Sequence, residues 1–158
     1  MIKAAILTVS DSCSKGKRED ISGQTIADIL SKNGFEVCEK KIVADDKEKI
    51  TSELVYFSDD VDVGVLFTTG GTGLGPRDVT PEATIAVCEK MVPGLGELMR
   101  LKGLEKTPNS ILSRSAAGIR GNTLIINLPG SPKAVRESLE AILHILPHAI
   151  EMMHGGGH

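Results

Sequence analysis

The chain has no tryptophan, one tyrosine and three phenylalanines in 158 residues, which leaves few aromatic platforms for stacking bases. Its net charge of −3 and pI near 5.8 give no cationic footprint for a polyphosphate strand, so nucleic acid is not expected as a partner. No stretch approaches the ~20 consecutive apolar residues of a bilayer span. Met1-Ile2-Lys3 leads straight into a strand pattern rather than a signal peptide. A cytoplasmic protein that engages no membrane is therefore expected. Cysteine is also scarce: Cys13, Cys38 and Cys88 are odd in number and far apart, which excludes a disulfide framework and a Cys-x-x-Cys metal site, and reduced thiols are expected. His144 and His148 stand four apart in a predicted helix and His154 and His158 close the chain, but the interleaved glutamate of a zinc protease is missing, so solvated or packed histidines are expected. No Ser-His-Asp triad is visible.

What the chain does have is glycine, and one glycine-rich stretch organises the rest. Thr69-Gly70-Gly71-Thr72-Gly73-Leu74-Gly75 follows an apolar, β-branched run at residues 61–67 and leads into Thr80-Pro81, a hydroxyl and a fixed φ suited to N-cap and N1. The stretch reads strand, glycine loop, helix. Four glycines in six positions let the backbone approach a ligand closely, and that geometry suits an anion, above all phosphate. The loop is not a Walker A loop, because Pro76-Arg77 stands where Lys-Ser or Lys-Thr is needed. It is not a dinucleotide fingerprint either, because proline occupies position 76. Arg77 can fork onto phosphate and Asp78 can hold a hard metal.

The length suits one domain, assigned to residues 1–154, with residues 155–158 as a flexible glycine-rich tail. Residues 2–9 form a near-continuous apolar run, a strand buried on both faces that ends at Ser10-Asp11. The polar, basic residues 12–20 read as a long loop; Lys15, Lys17 and Arg18 are individually explained as solvated charges. Ser22 is placed as the cap of a first helix with Ile26, Ile29 and Leu30 on one face, stopped at Asn33-Gly34. Residues 35–43 alternate apolar and charged, the pattern of an edge strand. Asp46 caps a second helix carrying Ile50, Leu54 and Phe57, which leaves Asp45 at a strand's carboxyl end.

A helix over residues 81–90 is expected to turn Ile85 and Cys88 inward. Pro93-Gly94-Leu95-Gly96-Glu97 breaks it before a short helix through Leu98 and Leu101. Arg120-Gly121-Asn122 turns the chain into a buried strand at residues 123–128. Ser131-Pro132 then starts a last helix with Val135, Leu139, Ile142, Leu143 and Leu146 inward, interrupted near Pro147. Alternating strands and helices predict an α/β fold: three layers, with a mostly parallel sheet flanked by helices on both faces.

That topology gathers Ser10-Asp11, Asp45, the loop from Gly70 to Asp78, and Pro129-Gly130-Ser131 at one sheet edge, where open α/β sheets bind ligands. Each has a plainer explanation. Asp45 and Asp78 can be turn residues, Arg77 a solvated charge, and Pro129 to Ser131 a helix start. Their coincidence describes a phosphate-and-metal site, suited to phosphoryl or nucleotidyl transfer, which needs position and charge rather than a protein nucleophile.

The same residues resemble a known family. Thr69-Gly70-Gly71-Thr72-Gly73, Arg77-Asp78-Val79-Thr80-Pro81-Glu82-Ala83, Pro93-Gly94-Leu95-Gly96-Glu97, Leu112-Ser113-Arg114 and Asn127-Leu128-Pro129-Gly130-Ser131 are similar to the molybdopterin adenylyltransferases of the MogA and gephyrin G-domain type. Val9-Ser10-Asp11 with Asp20, Ser22 and Gly23 fits as well. The resemblance implies a molybdopterin-binding-like fold and transfer of AMP from ATP to the terminal phosphate of molybdopterin, with release of pyrophosphate and with Mg²⁺ as cofactor. It implies that Asp45 and Asp78 are the catalytic, metal-holding pair. Ser10, Asp11, Gly70, Gly71, Thr72, Gly73, Arg77, Thr80, Glu97, Ser115, Pro129, Gly130 and Ser131 would surround the nucleotide or the pterin. It also implies a homo-oligomer, a trimer, and the molybdenum-inserting enzyme of the pathway as a possible partner. The related MoaB branch, some of whose members lack the acidic residues, supplies the alternative: a pterin-binding or scaffold protein without turnover. Hydrolysis of a small phosphorylated metabolite is a third reading.

Overall fold

Ile2–Val9 is strand β1, and its near-continuous run of apolar side chains, broken by Lys3 and Thr8, is explained by its position inside the sheet with a neighbour on each edge. The computed structural model describes residues 1–156. Among them, six strands form one sheet in the order β2-β1-β3-β6-β5-β4. β2 is Phe35–Val43, β3 Val65–Thr69, β4 Lys90–Met91, β5 Ala117–Arg120 and β6 Thr123–Leu128. β2, β1, β3 and β6 run parallel, while β5 and β4 continue antiparallel at the far edge. β2 is the edge strand its alternating pattern predicts, with Glu36 and Lys40 exposed.

The helices are α1 Asp11–Ser14, α2 Ile21–Ser31, α3 Lys47–Val55, α4 Thr80–Val87, α5 Pro93–Leu104, α6 Pro132–Ile142 and α7 Leu146–Met153. One face of the sheet, with Ile6, Phe67, Leu124 and Ile126, packs against α2, α5, α6 and α7; Phe35 and Phe67 meet edge to face at 6.5 Å. The other face, with Ala5, Leu7, Leu66 and Ile125, packs against α3 and α4. This is the three-layer α/β architecture that the sequence predicts. Each fully buried Leu, Ile or Phe contributes roughly 1.5–3 kcal/mol, so the two cores hold the strand ends rigidly.

Several local expectations hold. Asp46 caps α3 by accepting from the Lys49 N–H, and Ser131 caps α6 by accepting from the Ala134 N–H. β5 and β6 form a hairpin through Gly121-Asn122. α6 ends at Ile142, and a 3₁₀ turn, Leu143–Ile145, separates it from α7, because Pro147 has no N–H with which to continue the ladder.

Others are corrected by tertiary contacts. The cap of α2 is Asp20, which accepts from the Gly23 N–H, while the Ser22 hydroxyl donates instead to the Gly130 carbonyl at 2.6 Å. Residues 12–14 belong to a short helix capped by Ser10 rather than to a loop. The strand expected from residue 61 starts at Val65, after a wide helical turn, Tyr56–Asp60, and a reversal at Asp62, where φ is +57°. α4 ends at Val87, and Ile85 is 54% exposed, because Ala83, Thr84 and Val87 form the inward face. α5 begins at Pro93, so the proline-glycine segment opens a helix as well as ending one.

Cys13, Cys38 and Cys88 are free, and burial pushes the Cys88 thiol up to about 11. No helix among the described residues is long and apolar enough to cross a membrane. Gly155 and Gly156 close α7 through bonds to the Met152 and Glu151 carbonyls. The rest of the expected tail, with His158, lies outside the described residues.

Candidate active site

The site is built where the parallel strands end. β1→β2 runs one way across the sheet and β1→β3 the other, so the carboxyl ends of β1 and β3 flank a topological switch point. A cavity of about 580 Å³ opens there, lined by Ser10, Asp45, Gly70, Gly71, Asp78 and Gly130 among others. Gly70 and Gly71 have φ of +100° and +71°, which L side chains rarely adopt. A Cβ on Gly71 would overlap the Thr80 hydroxyl and lie 3.2 Å from Asp45 Oδ1. The bare backbone of the loop thus lies directly against the Asp45 carboxylate.

Asp45 and Asp11 hold each other's backbones: the Asp11 N–H donates to Asp45 Oδ2 at 2.9 Å, and the Asp45 N–H to Asp11 Oδ1 at 3.0 Å. This reciprocal pair locks the end of β1 to the end of β2. Arg77 then forks onto Asp11, with Nε donating at 3.1 Å and Nη2 at 3.0 Å. The guanidinium expected as a free phosphate fork is therefore paired with a carboxylate, and Asp11 serves as its counter-ion. The Arg77 guanidinium, helped by the Asp45 N–H, holds the Asp11 carboxyl below its ordinary range.

Asp45 moves the other way. Burial first, then the charges of Asp11 and Asp78, raise its carboxyl above the usual value against the lowering effect of the Asp11 N–H. For a group raised in this way, the contribution to folding is fully present below the unfolded value and is lost as pH rises through the folded one. Asp45→Asn should therefore make the metal-free protein more resistant to urea near neutral pH, with the gain vanishing below about pH 4. Equal urea midpoints for variant and wild type near neutral pH would contradict this reading.

Asp78 does two things at once. Its Oδ2 accepts from the Gly75 N–H at 2.9 Å while its own N–H donates to the Gly75 carbonyl at 3.1 Å, the turn-stabilising part expected of such a residue. Its carboxylate also lines the cavity with Asp45 and is close enough to act on Asp45 electrostatically. Among the described residues no group of three or more His, Cys, Asp or Glu is arranged to hold a metal. Two carboxylates fit Mg²⁺, which is commonly held by one or two carboxylates together with substrate phosphates and water.

Ser10, Gly130 and Ser131 line the same cavity, with the N-terminal end of α6 at its wall. Thr80 does not cap its helix as expected; its hydroxyl donates to the Gly70 carbonyl at 2.9 Å and fixes the loop. Thr72, within the loop, is buried, and Gly73 packs 2.9 Å from Asp78 Oδ2, measured from the position of an added Cβ. Ser115 and Pro129 face a second cavity of about 250 Å³, with Arg100, Asn109 and Ser113, so the Pro129-Gly130 turn stands between the two. Glu97 is exposed on α5 and lines neither cavity, although its neighbour Gly96 packs against the Ser115 carbonyl.

Two contributors were not assigned parts from the sequence. Asp20 lines the first cavity and accepts from Thr8 Oγ1 at 2.6 Å. Arg114 reaches the glycine loop from across the chain, donating to the Gly73 carbonyl at 2.9 Å and the Asp78 carbonyl at 2.8 Å. It stands in Leu112-Ser113-Arg114, one of the motifs that carry the family resemblance, but nothing local names the bonds it makes.

Residues 5–148 match the family described as "Probable molybdopterin binding domain". The chain is 46% identical over 156 residues to a molybdopterin adenylyltransferase of Helicobacter pylori, covering 98% of this chain and 89% of the relative. It is 37% identical over 144 residues to the molybdopterin adenylyltransferase of Escherichia coli, covering 89% and 73%. Among solved structures it is similar to the molybdopterin biosynthesis enzyme MoaB of Thermus thermophilus, with 48% identity, a TM-score of 0.93 and full coverage of both chains.

Proposed function

The chain belongs to the molybdopterin-binding domain family, and on that premise we propose that it is a molybdopterin adenylyltransferase of molybdenum cofactor biosynthesis. The observation that carries this reading is the pairing of Asp45 and Asp78 on one cavity against the bare backbone of Gly70 and Gly71. In the reaction a terminal phosphate oxygen of molybdopterin forms a bond to the α-phosphorus of ATP, the α–β bridging P–O bond breaks, and pyrophosphate leaves with the electron pair. A phosphate monoester has a second pKa near 6, so the nucleophile is already ionised and no strong base is required of the protein. Asp45 and Asp78 would hold Mg²⁺, which when bound offsets the negative charge of the triphosphate.

The protein's own part is placement. The glycine loop and the N-terminus of α6 meet the nucleotide phosphates. In this reading the pterin takes the second cavity, which Ser115 and Pro129 line and which the Pro129-Gly130 turn separates from the first. Retention of both carboxylates favours the enzyme over a scaffold without turnover. The resemblance implies a trimer, and the exposed apolar residues Leu101, Leu104, Ile111 and Leu112 on α5 and the 108–112 turn suit a contact between subunits. A cytoplasmic site of action and the molybdenum-inserting enzyme as a further partner are part of the same proposal and rest on the family resemblance.

The test is to supply purified protein with ATP, Mg²⁺ and molybdopterin and to follow pyrophosphate and adenylylated pterin together. Equimolar formation of both is expected. Wild-type protein that binds molybdopterin yet makes no product would favour the scaffold reading. Phosphate released from ATP without pterin would favour a hydrolase.

A further inference from the structure

The loop that carries Asp78 has little to hold it. Residues 72–78 include two glycines, which contribute no side-chain packing and lose the most conformational freedom on ordering. Within the loop, Gly75 and Asp78 close a tight turn, which shapes the tip without anchoring it. Among the described residues, the hydrogen bonds that tie 72–78 to sequence-distant parts come from two places, the Arg77–Asp11 pair and Arg114.

Arg114 makes most of them. Its backbone N–H donates to the Thr72 carbonyl at 2.9 Å, its Nε to the Gly73 carbonyl at 2.9 Å, and its Nη2 to the Asp78 carbonyl at 2.8 Å. The guanidinium is itself oriented by Glu82 in the first turn of α4, which takes bonds from both Nη1 and Nη2. One planar group thus bridges both ends of the loop and the helix that follows, which a lysine's single ammonium cannot reproduce. The Arg114–Glu82 pair is partly exposed, with side chains 35% and 44% accessible, so as an ion pair alone it contributes little to folding. What it does is fix the backbone of Gly73 and Asp78 and, through it, the direction of the Asp78 carboxylate.

We propose that Arg114 is a positioning residue for the reaction: it clamps the 72–78 loop so that Asp78 faces Asp45 across the cavity in the spacing a divalent ion needs. This rests on the reading of Asp78 as a metal-holding residue. Ser113 and Ser115 on either side of Arg114 line the second cavity, so the segment that steadies Asp78 also forms the wall on the pterin side.

The experiment is a Mn²⁺ titration followed by EPR, on protein loaded with a non-hydrolysable ATP analogue, for wild type, Arg114→Ala, Arg114→Lys and Glu82→Gln, with turnover measured in parallel. A nucleotide-dependent Mn²⁺ site is expected in the wild type. Arg114→Ala should weaken it about tenfold or more and lower kcat by a similar or larger factor, with KM for the pterin changed much less. Arg114→Lys and Glu82→Gln should fall between. If Arg114→Ala does not fold, the other two variants still decide the matter. Folded variants with wild-type Mn²⁺ affinity and kcat would overturn the proposal. A wild type that binds Mn²⁺ normally but makes no adenylylated pterin would instead defeat the assigned reaction, leaving the clamp to be judged on metal affinity alone.

Discussion

Asp78→Asn is expected to lower kcat for adenylyl transfer by about 10²-fold or more, the scale on which losing one preorganised electrostatic group costs a reacting centre. Molybdopterin binding should change little, because the second cavity, with Ser115 and Pro129, does not include residue 78. The fold should also survive. Asn retains an oxygen that can accept from the Gly75 N–H, so the turn made at 2.9 Å can persist while the formal charge is removed. The check is paired: steady-state kinetics for kcat, and direct binding of molybdopterin to the variant. A variant with wild-type kcat would remove Asp78 from the mechanism, and one that loses pterin binding and turnover together would recast it as structural.

Gly70→Ala should be the most damaging single change of size in the loop. At φ of +100° an L side chain is strained, and the new Cβ would run into the Val9 carbonyl oxygen, which is backbone and cannot rotate aside. Left-handed strain and overpacking each cost about 1–2 kcal/mol or more. A fall in Tm of roughly 5 °C or more follows for a chain of this size. Activity should fall further than stability alone explains, because the shift would separate the ends of β1 and β3 and with them Ser10 and the glycine loop. Calorimetry and kinetics on the same preparation separate the two effects. A variant with unchanged Tm would show that the loop relaxes freely and that its geometry is not fixed by contact with β1.

The contrast between these two positions illustrates what a sequence carries. The glycine loop was legible because its chemistry is local: few ordinary side chains tolerate the backbone it needs, and the residues that follow name a cation and a carboxylate. Residues 2–9 were legible for a similar reason, since a strand with neighbours on both edges and helices on both faces is apolar over most of its length. Asp46, Ser131-Pro132 and Pro147 were legible because capping and helix breaking are decided within a few residues.

What the sequence hid was decided at long range. Ser22 looks like a cap until the Gly130 carbonyl, 108 positions away, takes its hydroxyl. Thr80 looks like one until it is seen to hold the Gly70 carbonyl. Arg77 reads as a free phosphate fork, yet Asp11, 66 positions earlier, neutralises it. Arg114 has no local signature of the bond it makes to the Asp78 carbonyl, 36 positions back. The polar residue types at the site were visible, but the pairing that leaves one carboxylate committed and another available was not. That pairing distinguishes Asp11, held by Arg77, from Asp45, raised by burial and left facing the cavity.

The most direct test of the central claim is a crystal structure of the wild-type protein soaked with Mn²⁺ and a non-hydrolysable ATP analogue, read by anomalous scattering. The predicted result is a single peak per chain between Asp45 and Asp78, at roughly 2.0–2.2 Å from a carboxylate oxygen of each and in contact with nucleotide phosphate. A nucleotide bound with its metal away from both carboxylates would contradict the account.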